Sequence, residues 1–275
     1  MTLNTRNRFL LTLFVISISF LLIFSIISLI FFIKGDFSST PKFERLLPIK
    51  SENFLLKNSP ISSVFSNLML LLYVSISCYF LYTSFEKTKS PETIYLMGFF
   101  IGCLLQSLKI LVVILKLWDT SSYILILISR IEIVGRLFAP ICLLFTAMFT
   151  DIEKLQEADR NIGLTLGISA FVASILPINS TKIYSNFTLY CGFESCIIFF
   201  IFFCALITII AFIFTSKQRE IPFWISPTPY FVVMYFGYII LTTTDDFLAL
   251  FLGSILLGFG SCGILSKLHK YYLWK

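Results

Sequence analysis

The amino-acid sequence predicts an all-α integral membrane protein, a bundle of about eight transmembrane helices joined by short loops. Eight long apolar runs make up most of the 275 residues, and only 13% of residues are charged. The mean hydropathy of +0.92 agrees with this composition. The runs lack the alternating pattern of barrel strands, and a bilayer forbids unpaired backbone groups, so helices are predicted. Window hydropathy places them at residues 9–33, 61–83, 94–115, 123–149, 162–178, 197–215, 225–244 and 247–265.

The first run, residues 9–33, contains 25 consecutive residues without a charge. At about 1.5 Å per residue it extends about 37 Å and exceeds a hydrocarbon core of about 30 Å. It is far longer than the apolar region of a signal peptide, and no cleavage pattern of small residues follows it before Lys34. We therefore expect an uncleaved first helix. An outer loop at residues 34–60 then leads to a seven-helix membrane domain at residues 61–265.

Two places in the predicted bundle leave alternatives open. The fifth span, residues 162–178, is short and contains two glycines and Pro177, so it has the weakest support as a crossing. The seventh and eighth spans are separated only by Asp245 and Asp246. They form either a tight hairpin of full spans or a re-entrant pair, and both alternatives return the chain to the same side.

The basic residues of the connections predict the orientation. Alternate connections, including both terminal segments, carry 11 lysines and arginines, against 7 in the others. Five of those 7 lie in the longest loop, residues 34–60. The positive-inside rule therefore predicts that the N-terminus, residues 1–8, and the tail, residues 266–275, are both cytoplasmic. A bacterial inner membrane is expected from the resemblance described below.

Composition and motifs argue against several classes of function. The net charge of +6 is spread over loop ends without a block of like charges, so no nucleic-acid partner is predicted. His269 is the single histidine, and no hydrolase elbow, zinc-protease motif or P-loop is present. We therefore predict no enzyme activity, no metal site and no cofactor.

Two of the seven cysteines lie close together in a predicted outer connection. Cys191 and Cys196, in the sequence C-G-F-E-S-C, can form a disulfide in an oxidising compartment. The alternative is two unpaired thiols near the start of a helix.

Four ionisable side chains lie inside predicted helices and away from their ends: Lys109, Arg130, Glu132 and Arg136. Each would cost about 2.5–3.5 kcal/mol at the bilayer centre, so partners or water are required. Glu132 and Arg136 are four residues apart, which predicts an ion pair on one helical face. The remaining surplus of positive charge can be offset by Asp245 and Asp246 if the last hairpin packs nearby.

Two interpretations of these charges remain open. They form either a structural network that holds the third, fourth, seventh and eighth helices together, or an anion-accepting cavity. In the cavity, Lys109, Arg130 and Arg136 would bind the carboxylate or phosphate of a small anionic ligand.

The last predicted helix carries small residues suited to close helix packing. They are Gly253, Gly260 and Gly263, together with Ser254, Gly258 and Cys262.

The arrangement of one helix, an outer segment and seven further helices resembles bacterial seven-transmembrane input modules, which precede histidine kinase or cyclase domains. Residues 84–93 (S-F-E-K-T-K-S-P-E-T) and residues 128–149, with a glycine, a proline and aromatic residues, carry the resemblance. Such modules pass a signal to a cytoplasmic domain, whereas this sequence ends ten residues after Leu265. The resemblance therefore implies a sensor that acts through a separate protein, and it assigns no site residues.

We expect a non-enzymatic sensor or membrane subunit that contacts the lipid bilayer and a protein partner or a second copy of itself. The alternative is a small transporter or channel component with an anion-accepting site inside the membrane. A transporter is expected to show internal repeats with broken helices at matching positions, and no such repeat is found in the sequence.

Overall fold

A computed structural model describes residues 2–34, 59–88, 90–148, 155–218, 227–243 and 245–273. Most of the predicted outer loop at residues 34–60 and the last two residues of the predicted tail lie outside this part of the chain. The elements are α1 (Leu3–Lys34), α2 (Pro60–Phe85), α3 (Pro91–Ser107), α4 (Ile110–Ile114), α5 (Leu117–Thr120), α6 (Ser122–Met148), α7 (Leu155–Ile175), β1 (Ile178–Ile183), β2 (Leu189–Cys191), α8 (Glu194–Gln218), α9 (Thr228–Thr243) and α10 (Phe247–Leu273).

Six helices in the described residues are long and apolar enough to cross a membrane. They are α1, α2, α3 continued into α4, α6, α8 and α10. The chain is therefore a multi-pass integral membrane protein built as a helical bundle, as its sequence predicts. A crossing by α7 or α9 stays a prediction, because α7 begins with polar residues such as Asp159 and Arg160 and α9 has only 16 residues.

The third predicted span contains one irregular turn, which we call the break, although Leu108 and Lys109 keep right-handed helical backbone angles. Helix α3 ends at Ser107 and α4 begins at Ile110, with Lys109 in the break. The backbone N–H groups of Leu108 and Lys109 bond to carbonyls three residues back, each at 3.3 Å, which tightens the chain as in a 3₁₀ turn. Window hydropathy cannot detect this break because most of the surrounding residues are apolar.

A β-hairpin follows α7 where the sequence predicted only the end of a span and a loop. Strands β1 and β2 pair antiparallel, with Ile178 opposite Cys191. In the turn, Phe187 has a left-handed φ of 65°. The Asn186 side-chain oxygen accepts bonds from the Thr188 backbone N–H at 3.2 Å and hydroxyl at 2.7 Å. These local bonds hold the turn in a fixed shape.

Helices α3 and α6 approach closely along facing small residues. A Cβ added at Gly135 would lie 2.6 Å from the carbonyl oxygen of Gly102, and one at Gly102 would lie 2.7 Å from the Ala139 Cβ. Gly98 faces the Cys142 side chain in the same way. The motifs G-F-F-I-G and G-R-L-F-A therefore bring two backbones together, as small residues do in membrane helices.

The small residues of α10 divide into two groups. Gly253, Gly260 and Gly263 pack so closely on α9 that a Cβ at any of them would crowd its atoms, which confirms close packing for this group. Gly258 has no neighbour within 4 Å, and Cys262 is exposed. This second group lines an apolar surface groove between α10 and α2.

Both ends of the described chain lie at the same end of the bundle. The Arg6 guanidinium donates to the carbonyls of Phe85, at 2.5 Å, and Thr88, at 2.7 Å, where α2 ends. The His269 ring, near the end of α10, packs edge-on against the Phe85 ring at 5.6 Å. Arg6 therefore satisfies carbonyls that the end of α2 leaves without helical partners.

We expect Arg6→Ala to lower the free energy of unfolding by about 1.5–3 kcal/mol, since it removes charge-assisted bonds to buried carbonyls. Thermal unfolding in detergent measures the effect. Arg8→Ala is the matched control because Arg8 is exposed, and it should change stability by no more than about 0.5 kcal/mol. Equal effects of the two substitutions would contradict the role of Arg6.

Gly135→Ala should destabilise the bundle by about 1–3 kcal/mol, because the new methyl group meets the Gly102 carbonyl. The control is Gly167→Ala on α7, where nothing lies within 4 Å. Alanine is the better helix former, so the control should be neutral or slightly stabilising. A neutral Gly135→Ala in the same unfolding assay would show that α3 and α6 are not in close contact.

Candidate functional site

A set of hydrogen bonds joins α2, the β-hairpin and the α9–α10 connection at the end of the bundle opposite the termini. The Asp245 carbonyl accepts from the Ser59 N–H at 2.9 Å and from the Ser62 hydroxyl. The Asp245 carboxylate accepts from the Ser185 hydroxyl. We call this set the polar cap, and its members are Ser59, Ser62, Ser63, Ser185, Asn186 and Asp245.

Two more bonds complete the polar cap. The Ser63 hydroxyl donates to the Ser185 carbonyl at 3.0 Å, and the Asn186 amide donates to the Thr243 carbonyl at 3.2 Å. The turn of the hairpin is therefore bonded both to the first turn of α2 and to the last residue of α9. Distant parts of the sequence meet here on a single face.

The two aspartates of the predicted last hairpin have different environments. Asp245 is buried, with 8% of its surface exposed, whereas Asp246 is half-buried. Burial, and to a smaller extent the neighbouring charge of Asp245, raises the pKa of the Asp246 carboxyl. Asp245 therefore belongs to the interior network, and Asp246 marks the start of α10.

An ion cluster lies next to the polar cap. Arg136 Nη2 lies 2.8 Å from Glu132 Oε1, which is the ion pair that their spacing predicts. Lys109 Nζ donates to the Thr242 carbonyl at 3.0 Å. The Lys109 charge also interacts electrostatically with its charged neighbours in the interior. The ion cluster consists of Lys109, Glu132, Arg136 and Asp245, all of them buried.

The ion cluster is close to one end of the bundle. Lys109 bonds to the second-last residue of α9 and lies in the break after α3. The sequence predicted a layer six to nine residues inside the membrane, counted along two continuous helices. Lys109 lies five residues before the end of the span Pro91–Ile114, and Glu132 lies ten residues after the start of α6, so these charges are inside the apolar spans.

The structure places Arg130 elsewhere. Its side chain is exposed on α6, and the described residues give it no hydrogen bond or ion pair. The expectation that it faces the interior is wrong, because a rotation of about 200° from Glu132 turns it out of the bundle. Two cations and two carboxylates remain inside, so the predicted surplus of positive charge is not present there.

A buried hydrogen bond lies between the ion cluster and the aromatic core. The Gln106 amide nitrogen donates to the Tyr238 hydroxyl at 2.6 Å. Gln106 is buried, and its carbonyl oxygen lacks a partner among the described residues. The Tyr238 ring packs edge-on against Phe99 at 5.4 Å. This oxygen is an acceptor that a water molecule or a bound donor can use.

The two cysteines predicted to pair have free thiols in the structure. Cys191 lies buried in β2, where burial raises the pKa of its thiol. Cys196 is exposed in the first turn of α8. A bridge between them stays a prediction.

The chemistry available at this site is electrostatic. The described residues contain no group of three histidine, cysteine, aspartate or glutamate side chains that could hold a metal ion. The arrangement offers fixed charges, one unpaired carbonyl oxygen and a hydrogen-bonded connection to the hairpin. It is suited to binding and to mechanical coupling between helices.

No protein-family model matches the chain, and a search of curated proteins gave no significant match.

Replacing Glu132 with glutamine should lower the free energy of unfolding by about 3–5 kcal/mol, because it leaves Arg136 buried without its paired carboxylate. The matched control is Arg130→Gln, which removes an exposed charge from the same helix and should change stability little. Chemical unfolding in detergent at neutral pH compares them. A larger effect of Arg130→Gln would mean that the ion cluster is assigned to the wrong residues.

Proposed function

We propose that the chain is a non-enzymatic membrane sensor or membrane subunit, which passes a change at its polar cap to a separate protein at the opposite end of the bundle. The observation that carries this proposal is the position of α2. Its first residues belong to the polar cap, and its last residues bond to Arg6 and contact His269. One helix therefore connects the hairpin face to the face that holds both termini.

Bonds along the length of α2 support its movement together with its neighbours. The Ser66 hydroxyl donates to the Leu241 carbonyl of α9. The Tyr73 hydroxyl bonds to Ser261 of α10 at 2.6 Å, and Ser75 bonds to Ser17 of α1 at 2.9 Å. A displacement of α2 at the polar cap would also displace the parts of α1, α9 and α10 that are bonded to it, because packed helices move as rigid bodies over small distances.

The orientation follows from the distribution of basic residues. With 11 lysines and arginines against 7, the end with the termini is cytoplasmic and the polar cap faces outward. The resemblance to bacterial input modules implies a bacterial inner membrane. The hairpin would then meet the outside, and Arg6 and His269 would meet a cytoplasmic partner. The resemblance of residues 61–265 to seven-transmembrane input modules supports the same direction of signalling.

The test compares the two ends of the bundle. Spin labels at Glu86→Cys and Lys270→Cys report distances at the end with the termini, in a background in which Cys196 and Cys262 are serine. Opening the polar cap with Asp245→Asn should shift the measured distance by about 1–2 Å, the scale of helix shifts in signalling. Ser185→Ala, a milder change, should shift it in the same direction.

Asn179→Ala is the matched control, since Asn179 lies in the exposed part of the hairpin. It should leave the distance distribution unchanged. Unaltered distances in both cap variants, with the protein folded, would refute coupling through α2.

A second candidate function, as a small transporter or channel component, rests on the break at Lys109. Broken helices beside buried charges form substrate sites in many transporters. Inorganic phosphate should then raise the melting temperature of the wild type but not of Lys109→Met. Loss of this response only in the variant would favour the second candidate over the first. The balance of two cations and two carboxylates reduces the attraction for a free anion.

A further inference from the structure

Arg130 is a charged residue on an otherwise apolar, outward face of α6. Its neighbours on this face, Leu127 and Tyr123, are 47% and 76% exposed. The described part of the chain gives Arg130 no hydrogen bond, ion pair or ring contact. An arginine that faces lipid without a counter-charge costs about 2.5–3.5 kcal/mol at the centre of a bilayer. Its position relative to the membrane surface therefore decides how it is accommodated.

Helix packing gives that position. Gly135 faces Gln106, close to the last residue of α3. Arg130 precedes Gly135 by five residues, which is about 7.5 Å nearer the polar cap. It therefore lies level with about Leu111 of α4, within one helical turn of Ile114, the last residue of the apolar span Pro91–Ile114. The side chains of a helix lean toward its N-terminus, so the guanidinium reaches further in the same direction.

A second copy of the chain does not offer an obvious counter-charge at this level. Glu132 is buried and paired with Arg136. Of the other described carboxylates at the polar-cap end, Glu194 and Asp246 are half-buried, Glu194 interacts electrostatically with Arg136, and Asp245 is bonded within the polar cap. The phosphate of a lipid at the end of the span Pro91–Ile114, in contrast, would lie at the level that the guanidinium reaches. Arginine binds phosphate through two parallel hydrogen bonds.

We propose that Arg130 binds the phosphate of an anionic phospholipid in the leaflet at the polar-cap end of the bundle. The acyl chains of that lipid lie against Val134, which is one helical turn below the arginine and partly buried. The site is separate from the ion cluster, although Arg130 and Glu132 are only two residues apart. Lipid bound here would contact the helix that carries half of the ion cluster.

Native mass spectrometry of the detergent-solubilised protein, titrated with phosphatidylglycerol, tests this proposal. The wild type should retain bound phosphatidylglycerol, and Arg130→Gln should weaken the affinity of the tightest site about tenfold, as expected for loss of a charge-assisted contact. Arg130→Lys should retain part of the affinity. The matched control is Arg8→Gln, an exposed arginine at the other end of the bundle, which should bind like the wild type.

Three results would overturn the proposal. Equal retention of phosphatidylglycerol by the wild type and Arg130→Gln would mean that the arginine only reaches water. Equal stabilisation by inorganic phosphate and by phosphatidylglycerol would identify a free-anion site. A change of oligomeric state in Arg130→Gln would show that its partner is another protein chain.

Discussion

Charged groups inside an apolar bundle must find opposite charge or backbone carbonyls there, and this constraint determines which helices of the protein meet. Lys109, Glu132 and Arg136 are buried on two different helices, and Asp245 lies in the connection between two more. Their mutual compensation requires the break after α3, the inner face of α6 and the α9–α10 connection to be adjacent. Removing Glu132 leaves the charge of Arg136 buried without its paired carboxylate at low dielectric.

Close backbone packing positions the helices of the ion cluster, and the polar cap links them to the other end of the bundle. Glycines bring α3 against α6 and α10 against α9, which are the helices that position the ion cluster. The polar cap then bonds the hairpin to both α2 and the end of α9. Helix α2 carries the connection to Arg6 at the other end. Membrane helices gain little from apolar contact alone, so these polar and glycine contacts supply the specificity.

The sequence predicted the bundle well because hydropathy summed over a span is a property of composition. It predicted the Glu132–Arg136 pair for a similar reason, since that contact is local in sequence. It missed the break at Lys109, the hairpin after α7 and the role of Arg6, because each depends on partners far away in the chain. The outward direction of Arg130 was missed because a helical rotation fixes relative angles but does not show which face meets the bundle.

A double-mutant cycle between Lys109 and Asp245 tests most directly whether buried charges hold these helices together. The free energies of unfolding of Lys109→Met, Asp245→Asn and the double variant are compared with that of the wild type in the same detergent. If the buried charges hold the broken third helix to the α9–α10 connection, the cycle should give a coupling free energy of about 1 kcal/mol or more. Additive effects, within about 0.3–0.5 kcal/mol, would contradict the account.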